Sequence, residues 1–369
     1  MTDLEQKPRL RFKGFTEAWE QRNAKELCSI ITGKSNTQDQ VDDGKYPFYI
    51  RSDVPVKSNK FLFDEEAVIT IGDGNIGKVF HYVNGKFDLH QRCYKMADFS
   101  YVSAKYFYWY FSTKFYKRAM SMTAKATVDS VRLEMISDMP IKYPENKDEQ
   151  SKISAFLFQL DSLITLHQRK YEKLKSMKAA LLEKMFPSEN ETTPKIRFKG
   201  FTEAWEQRKL GDIFEFERPD KYMIKDDHYE ETGIPVLTAN KAFILGYKNE
   251  TGAYSKGDCI IFDDFTLDSK YVDFPYKINS SVIKILTLKD NSNLKFDYYL
   301  LNQAKILQQG HARHYISVVQ PTIVNVPKKC ESNKIEKLFT NLDSLITLHQ
   351  RKCEKLKNLK KSLLERMFI

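Results

Sequence analysis

The sequence of 369 residues lacks several features that would assign it to a membrane, secreted or metal-bound class. It has no run of about 18 apolar residues, the length that a membrane-spanning helix needs. The opening residues, MTDLEQKPRLRF, contain no apolar core and do not resemble a signal peptide. The five cysteines never form a C-x-x-C pair, which argues against a disulfide scaffold or a zinc ribbon. We therefore expect a cytoplasmic protein without a membrane partner.

Motifs of the common enzyme classes are also missing or misplaced. GDGNIG at Gly72–Gly77 satisfies G-x-G-x-x-G, but a dinucleotide site needs a helix next, and the following KVFHYV is typical of a strand. We predict instead a tight loop between strands, whose backbone amides could face a phosphate. His311 and His314 are spaced like metal ligands, but no cysteine or further histidine lies nearby in the sequence, which argues against zinc. The sequence predicts no catalytic residue and no metal site.

Composition and charge leave two interpretations open. Apolar residues make up 41% and charged residues 29%, which is typical of a globular protein, and the length fits two domains at about 150 residues each. The net charge is +10, and the lysine-rich segments 149–186 and 331–369 carry +3 and +4 of it. This excess indicates either an acidic partner such as nucleic acid or two solvated helices.

The dominant feature of the sequence is an internal repeat. RFKGFTEAWEQR at Arg11–Arg22 recurs unchanged at Arg197–Arg208, and Leu160–Phe186 recurs at Leu342–Phe368 with 21 of 27 positions identical. Two copies are too few for a solenoid and fit two fused, similar halves related by an approximate two-fold axis. The segments between the repeats diverge almost completely, in residues 23–150 and 209–330.

Each longer repeat is predicted to form one helix, because apolar residues recur at spacings of three and four without glycine or proline. We expect the two helices to pack on each other as an antiparallel coiled coil, with the variable domains at opposite ends. A simple stabilising hairpin is the alternative, and the seam histidines are interpreted as register-setting residues rather than ligands. The predicted seam residues are Leu160, Ile164, His167, Tyr171, Leu174, Met177, Leu181 and Met185 in the first helix, and Leu342, Ile346, His349, Cys353, Leu356, Leu359, Leu363 and Met367 in the second.

The sequence also predicts that the chain closes on itself. EQKPRLRFKG leads into the first domain as PSENETTPKIRFKG leads from the first helix into the second domain. Phe368 should therefore lie near Pro8, as Phe186 must lie near Pro194.

Both divergent segments follow a common plan of β-rich runs and then an aromatic-rich helical stretch. EEAVITIG from Glu65 and KGDCIIF from Lys256 are typical strands, and the aromatic helices begin near Ser103 and Phe296. We interpret the aromatic residues as core, with base-stacking platforms as the alternative. The pattern predicts α+β domains built mainly on antiparallel strands. The predicted order is a first variable domain in 1–148, a central helix in 149–186, a linker in 187–196, a second variable domain in 197–330 and a C-terminal helix in 331–369.

The whole chain resembles the specificity subunit of type I restriction–modification enzymes. The resemblance lies in the alternation of two unlike domains with two near-identical helices, which are entered through PENKDEQSKISAFLFQLDSLI from Pro144 and PKKCESNKIEKLFTNLDSLI from Pro327. AVITIGDGNIGKVF from Ala67 is similar to the strand–loop–strand of that family, whereas KGDCIIFDDFTLDSKYV lacks the glycine-rich loop. The resemblance implies two mixed, mainly antiparallel-sheet target recognition domains separated by two long helices, with pseudo-two-fold symmetry.

This resemblance also implies a function. The chain would be a non-catalytic subunit that binds double-stranded DNA, with each variable domain reading one half of a split, asymmetric target. The helices would set the spacing and dock two methyltransferase subunits, and two motor–nuclease subunits would join for cleavage. S-adenosylmethionine, ATP and magnesium would bind only to those partners, with no cofactor in this chain. The alternatives are a stand-alone nuclease with an unrecognised site and a structural adaptor that does not read DNA.

We expect the DNA contacts to be hydrogen-bonding side chains on exposed loops, because base edges are read by Arg, Lys, Asn, Gln and short hydroxyl residues. The candidates are Arg51, Ser52, Asn75, Lys78, Arg92, Lys125 and Arg132 in the first domain, and Asn240, Lys241, Lys270, His311, Arg313 and His314 in the second.

Overall fold

The structure is a computed structural model that describes residues 7–123, 130–189, 191–240, 242–290, 292–308 and 313–368. The chain divides into two compact units. The first unit combines Met1–Gln168 with Gln350–Ile369, and the second comprises Arg169–His349. Each predicted variable domain thus lies within one unit, whereas both long helices are divided between the two units.

The described residues form short strands and two very long helices. The strands are β1 (Glu20–Asn23), β2 (Ser29–Thr32), β3 (Tyr46–Tyr49), β4 (Val56–Ser58), β5 (Phe63–Ile71), β6 (Phe80–Leu89), β7 (Cys93–Ala97), β8 (Pro140–Tyr143), β9 (Glu206–Lys209), β10 (Phe214–Glu217), β11 (Ile234–Leu237), β12 (Ile244–Lys248), β13 (Cys259–Asp263), β14 (Ser269–Val272), β15 (Lys277–Ile278), β16 (Ile283–Leu288) and β17 (Ile323–Val326). The helices are α1 (Ala24–Leu27), α2 (Ala104–Thr123), α3 (Leu133–Ser137), α4 (Lys147–Met185), α5 (Leu210–Ile213), α6 (Leu294–Gln303) and α7 (Lys329–Met367). Both long helices begin two residues before their predicted starts and end within two residues of their predicted ends.

The first unit is built on a six-stranded sheet with the order β2-β7-β5-β6-β3-β4. All of its pairings are antiparallel except that between β3 and β6. The aromatic helix α2 covers this sheet, because Phe111 packs edge-on against Phe80 at 5.6 Å and stacks on Phe107 at 5.4 Å. Phe107 and Phe111 are fully buried. The aromatic stretch is therefore core, as predicted, rather than a surface for stacking bases.

In the first unit, residues of the shorter repeat contact the ends of both long helices. We call these contacts, which involve Leu10, Arg11, Trp19, Glu149 and Phe368, the frame. The Arg11 guanidinium donates two hydrogen bonds to the fully buried Glu149 carboxylate, at 2.6 and 2.8 Å. Phe368 packs against Trp19, with ring centroids 6.5 Å apart. The Leu10 amide donates to the Arg366 carbonyl at 3.0 Å. Since Leu10 follows Pro8 by two residues, the predicted closure of the chain end onto its start is confirmed within this unit.

The second unit repeats this frame around a different sheet arrangement. The Arg197 guanidinium donates to the buried Glu331 carboxylate at 2.6 and 2.8 Å, and Phe186 packs against Trp205 at 6.0 Å. The Ile196 amide donates to the Lys184 carbonyl at 2.9 Å. The sheets are four-stranded (β10-β16-β13-β14) and three-stranded (β12-β11-β15), with β17 paired to β9.

Within each unit the long helices run antiparallel, as predicted. In the first unit Asp161 pairs with Lys360 at 2.5 Å, and Gln168, further along α4, accepts from Cys353, which lies earlier in α7. The equivalent ion pair in the second unit joins Lys178 to Asp343 at 2.5 Å. The offset of 182 residues between the two copies of the longer repeat also relates these two ion pairs.

The structure departs from the predicted seam at one equivalent position in each helix. Met177 and Leu359 are 41% and 45% exposed. Their neighbours Lys178 and Lys360 lie inward instead, with side chains only 22% and 23% exposed. Spacings of three and four alternate along a seam, and the structure takes four residues after Leu174 where the prediction took three. The aliphatic stems of these lysines cover the seam while their ammonium groups reach an aspartate.

Candidate nucleic-acid interface

The loop between β5 and β6 is anchored through its backbone. The Gly72 amide donates to the Arg92 carbonyl at 2.7 Å, and its carbonyl accepts from the Val131 amide at 2.6 Å. Gly77 has a positive φ of +66°, and a Cβ there would lie 2.9 Å from the Tyr116 Cα, so only glycine fits. Strand β6 follows the loop, so the prediction of a strand-connecting loop rather than a dinucleotide site is confirmed.

Asp73, inside this loop, holds two arginines from different parts of the chain. Its Oδ2 accepts from Arg51 Nη1 at 3.2 Å and from Arg92 Nη1 at 3.0 Å. The arginine side chains are 45% and 64% exposed, whereas that of Asp73 is only 16% exposed. Burial, and then the positive charge of Arg51, lower the pKa of the adjacent His90. Two guanidinium groups thus face solvent while both bind one enclosed carboxylate. We call these three residues, Arg51, Arg92 and Asp73, the arginine fork.

Three further candidates of the first domain, Ser52, Asn75 and Lys78, lie on or next to the same loop. Asn75 and Lys78 are exposed, and the Lys78 ammonium lies 5.5 Å from the centre of the Tyr116 ring. The Ser52 hydroxyl, beside Arg51, donates to the Val54 carbonyl at 2.5 Å. Two other candidates complete the set: Arg132 is exposed and pairs with Glu134 at 3.2 Å, while Lys125 falls outside the described residues.

Sequence reasoning missed Asp73, because it searched for hydrogen-bond donors and passed over a carboxylate. The available signal was its position within the predicted loop, between Gly72 and Gly74. The partners of Asp73 lie 22 and 19 residues away in sequence, so their convergence depends on the sheet.

The corresponding loop of the second unit, between β13 and β14, is built on a buried ion pair. Asp264 and Lys284 lie 3.4 Å apart, with side chains 3% and 4% exposed. Asp264 Oδ1 also accepts from the Tyr315 amide at 2.6 Å, and its carbonyl accepts from the His314 amide at 3.0 Å. His314 is itself only 1% exposed. The expectation that His314 lies on an exposed loop is therefore wrong, because its segment is fastened to Asp264 and its ring packs inside.

The other described second-domain candidates differ in exposure. Asn240 is half-buried and donates from Nδ2 to Asp263 Oδ2 at 2.9 Å. Lys270 is half-buried on β14, and Arg313 is exposed beside His314. Lys241 and His311 fall outside the described residues. Among the residues that the structure describes, no carboxylate of the second unit holds two arginines as Asp73 does.

Two kinds of feature are absent from the described part of the chain. No group of three or more His, Cys, Asp or Glu side chains there is placed to hold a metal ion. No described helix is both long enough and apolar enough to cross a membrane.

The chain belongs to the family of the type I restriction modification DNA specificity domain. The model of that family matches it twice, over residues 16–176 and 202–358, so each unit contains most of one match. The double match agrees with the internal repeat, and it confirms the resemblance found in the sequence.

Individual relatives agree with this assignment. The specificity subunit of the Escherichia coli type I restriction enzyme EcoR124I/EcoR124II is 45% identical over 132 residues, which cover 34% of this chain and 32% of that protein. The Escherichia coli EcoDI specificity subunit is 24% identical over 167 residues, covering 44% of this chain and 37% of that protein. The alignments thus span about a third of these curated relatives.

One solved structure matches almost the entire fold. The S subunit of a type I restriction-modification system from M. genitalium has a TM-score of 0.78, and the match covers 98% of this chain and 99% of that one. Its sequence identity is 18%, so the likeness concerns the fold. The match confirms the predicted fold class of two α+β domains with mixed sheets and two long helices.

Proposed function

We propose that this chain is the sequence-reading, non-catalytic subunit of a type I restriction–modification complex, acting on DNA in the cytoplasm. Each variable domain reads one half of a split, asymmetric target on double-stranded DNA, and the long helices set the spacing between the halves. Half-site spacing follows protein geometry in other DNA-binding proteins that carry two readers.

One observation carries this proposal: the two units keep the same frame around unlike loops. Arg11 with Glu149 and Arg197 with Glu331 form the same two hydrogen bonds at the same distances. The loops in those frames differ completely in charge and construction, since the arginine fork has no counterpart among the described residues of the second unit. A constant frame with exchangeable loops is what two readers of different sequences require.

The repeated surface supports docking of two copies of one partner. The turn of the first repeat exposes Lys13, Gly14, Thr16, Glu17 and Ala18, and the identical residues of the second repeat are exposed as well. Packing of the frame does not require identity at exposed positions, whereas binding the same protein twice does.

A pair of exposed leucines on each long helix adds to this repeated surface. Leu163 and Leu166 are 38% and 45% exposed in the first unit, and the equivalent Leu345 and Leu348 are 43% and 44% exposed in the second. We propose that two methyltransferase subunits dock on these surfaces and that two motor–nuclease subunits join them. S-adenosylmethionine, ATP and magnesium then belong to those partners, and this chain supplies no cofactor site.

The proposed DNA contacts follow the sequence candidates, without the buried His314. Base contacts change target preference on substitution, whereas phosphate contacts weaken all targets alike. The proposed contacts are Arg51, Ser52, Asn75, Lys78, Arg92, Lys125 and Arg132 for one half-site, and Asn240, Lys241, Lys270, His311 and Arg313 for the other.

A domain exchange tests the proposal. Residues 23–150 are replaced by the corresponding segment of another specificity subunit, the chain is expressed with its methyltransferase partner, and methylated bases are mapped across a genome. We expect one half of the methylated motif to change while the other half and the gap persist. The matched exchange of residues 209–330 should change only the other half. An unchanged motif in both exchanges would favour the adaptor alternative and reject the proposal.

A second assay distinguishes the proposed non-catalytic subunit from a stand-alone nuclease. The purified chain is incubated alone with plasmid DNA and Mg²⁺, and we expect no cleavage and no methylation. Reproducible cleavage by the chain without partners would overturn the non-catalytic assignment.

A further inference from the structure

The geometry of the arginine fork exceeds what a surface salt bridge needs. A single exposed Arg–Asp pair contributes little to stability, because solvent screens it and two long side chains must be ordered. Here one carboxylate oxygen serves two guanidinium groups that arrive from the segment after β3 and from the β6–β7 turn. Ordering two arginines at one point of the surface therefore suggests a binding role rather than a structural one.

Asp73 is itself firmly placed. Its backbone forms an antiparallel bridge with Ser130, and its loop is anchored on both sides through Gly72. Its second oxygen, Oδ1, is enclosed and has no hydrogen-bond partner among the described residues. Solvent and ligand thus meet the two arginines, while the carboxylate stays behind them.

Most of the donor capacity of the two arginines remains available. A guanidinium carries five N–H donors in a fixed planar fork, and each arginine uses Nη1 on Asp73. Among the described residues, neither guanidinium makes a second ion pair. The open edges match paired acceptors, either O6 and N7 of guanine in the major groove or two oxygens of one phosphate.

We infer that Arg51 and Arg92 act together as one fork for the paired acceptors of a guanine in the first half-site, and that Asp73 is their positioning residue. Fixing long side chains before DNA arrives removes part of the ordering cost of binding. This inference rests on the proposed function and deepens it, since it assigns an acceptor-reading site to the first variable domain only.

Because Asp73 is a carboxylate near DNA, its two possible roles predict opposite changes in affinity for the target when it is neutralised. If Asp73 were an ordinary surface charge, Asp73→Asn would reduce repulsion and strengthen binding to every DNA sequence. If Asp73 positions the arginines, the same change weakens binding to the target while binding to unrelated DNA holds or strengthens. The ratio of specific to non-specific affinity therefore separates the two roles.

The experiment measures that ratio for the full chain in its methyltransferase complex, over a series of salt concentrations. We expect Asp73→Asn to lower the ratio about tenfold, as the loss of one good bidentate contact would. Asp138→Asn is the matched control, because Asp138 forms an exposed ion pair with Lys25 in the same unit, and it should leave the ratio unchanged. Arg51→Lys and Arg92→Lys keep the positive charge and Asp73 but lose a planar guanidinium group. They should therefore lower the ratio even if Asp73→Asn fails to fold.

Modified DNA identifies the acceptor. Replacing each target guanine in turn by 7-deazaguanine removes one N7, and replacing phosphates by methylphosphonates removes one charge. In the guanine case, one deaza position lowers affinity for the unmodified chain and has no further effect on Arg92→Lys. In the phosphate case, one methylphosphonate lowers affinity for the unmodified chain and has no further effect on Arg92→Lys. The salt slope then also falls by about one unit. The guanine result supports the fork, whereas the phosphate result overturns it, because losing a phosphate contact weakens target and unrelated DNA alike and leaves the ratio unchanged.

Two failures are distinguishable. If the unmodified complex binds target and unrelated DNA equally, the proposed function fails. If it discriminates but Asp73→Asn, Arg51→Lys and Arg92→Lys all keep the unmodified ratio, the proposed function stands and the arginine fork is rejected.

Discussion

The two units differ least where they are buried in the frame and most at the loops of their sheets. Phe368 packs against Trp19, Tyr106 and Tyr110, and Phe186 occupies the equivalent place in the second unit. In the sheets, by contrast, even strand continuity differs. In the first unit the ten residues of β6 pair with both β5 and β3. In the second unit two separate strands do this: β14 pairs with β13 and β15 pairs with β11, and the segment between them includes Pro275.

Proline explains this break, because it lacks the N–H that a central strand donates to its neighbour. Gly85 stands within β6 instead, with a φ of +121°, and allows that strand to bend without interruption. The comparison shows that the frame fixes where a variable domain begins and ends, while the sheet between those points can be rebuilt. Each prediction below tests how far the equivalence of the frames extends.

The largest expected effect is the removal of the terminal phenylalanines. Phe368→Ala and Phe186→Ala should each lower the free energy of unfolding by about 3–5 kcal/mol, because each truncation leaves a cavity among buried aromatic rings. If the frames are equivalent, the two losses should agree within about 1 kcal/mol. Urea unfolding gives the magnitudes, and hydrogen exchange assigns each loss to its unit.

Met177→Ala is the matched control, since Met177 lies on the same helix but is exposed. Its cost should stay within about 0.5 kcal/mol. A full loss for Phe186→Ala beside a negligible one for Phe368→Ala would show that the chain end is not docked in the first unit as Phe186 is in the second.

A smaller effect should appear with pH and only in the second unit. Asp297, one residue after Phe296 on α6, is 1% exposed, and burial raises its pKa to about 7. The Ser292 hydroxyl donates to its Oδ2 at 2.8 Å, which partly opposes that rise. The first unit has the fully buried Phe107 after Tyr106, so it lacks such an acid.

The direction of this pH dependence follows from the linkage between proton binding and folding. Above about pH 4 the unfolded chain has lost this proton, while the folded chain retains it up to about pH 7, so stability falls as pH rises between those values. We expect the free energy of unfolding to fall by about 2–3 kcal/mol between pH 5 and pH 8 through this group. Asp297→Asn should remove that part of the dependence in urea unfolding at both pH values. An equal pH dependence in the variant would refute the assignment.

The sequence was a good guide to the frame and a poor one to the surface. The residues shared by the repeats include the buried contacts of the frame, so the helix limits and the closure near Leu10 could be predicted. The inward turn of Lys178 could not, because it depends on the phase with which two helices meet. The burial of His314 depends on Asp264, 50 residues earlier in the chain, which no local pattern reveals.

The smallest expected effect compares the two ion pairs between the long helices. Asp161 bonds Lys360, and the equivalent Asp343 bonds Lys178 but also accepts from the Tyr299 hydroxyl at 2.6 Å. Partly exposed ion pairs contribute about 0.2–1 kcal/mol, and a further hydrogen bond to a charged group adds about 1.5 kcal/mol. Asp343→Asn should therefore destabilise the chain more than Asp161→Asn does, as measured by urea unfolding.

A double-mutant cycle isolates the source of that difference. In a Tyr299→Phe background, the cost of Asp343→Asn should fall to that of Asp161→Asn, because the hydroxyl that distinguishes the two aspartates is gone. If the cost of Asp343→Asn is the same in both backgrounds, the hydrogen bond contributes nothing. The two helix pairings would then be energetically alike, despite the extra contact in the second unit.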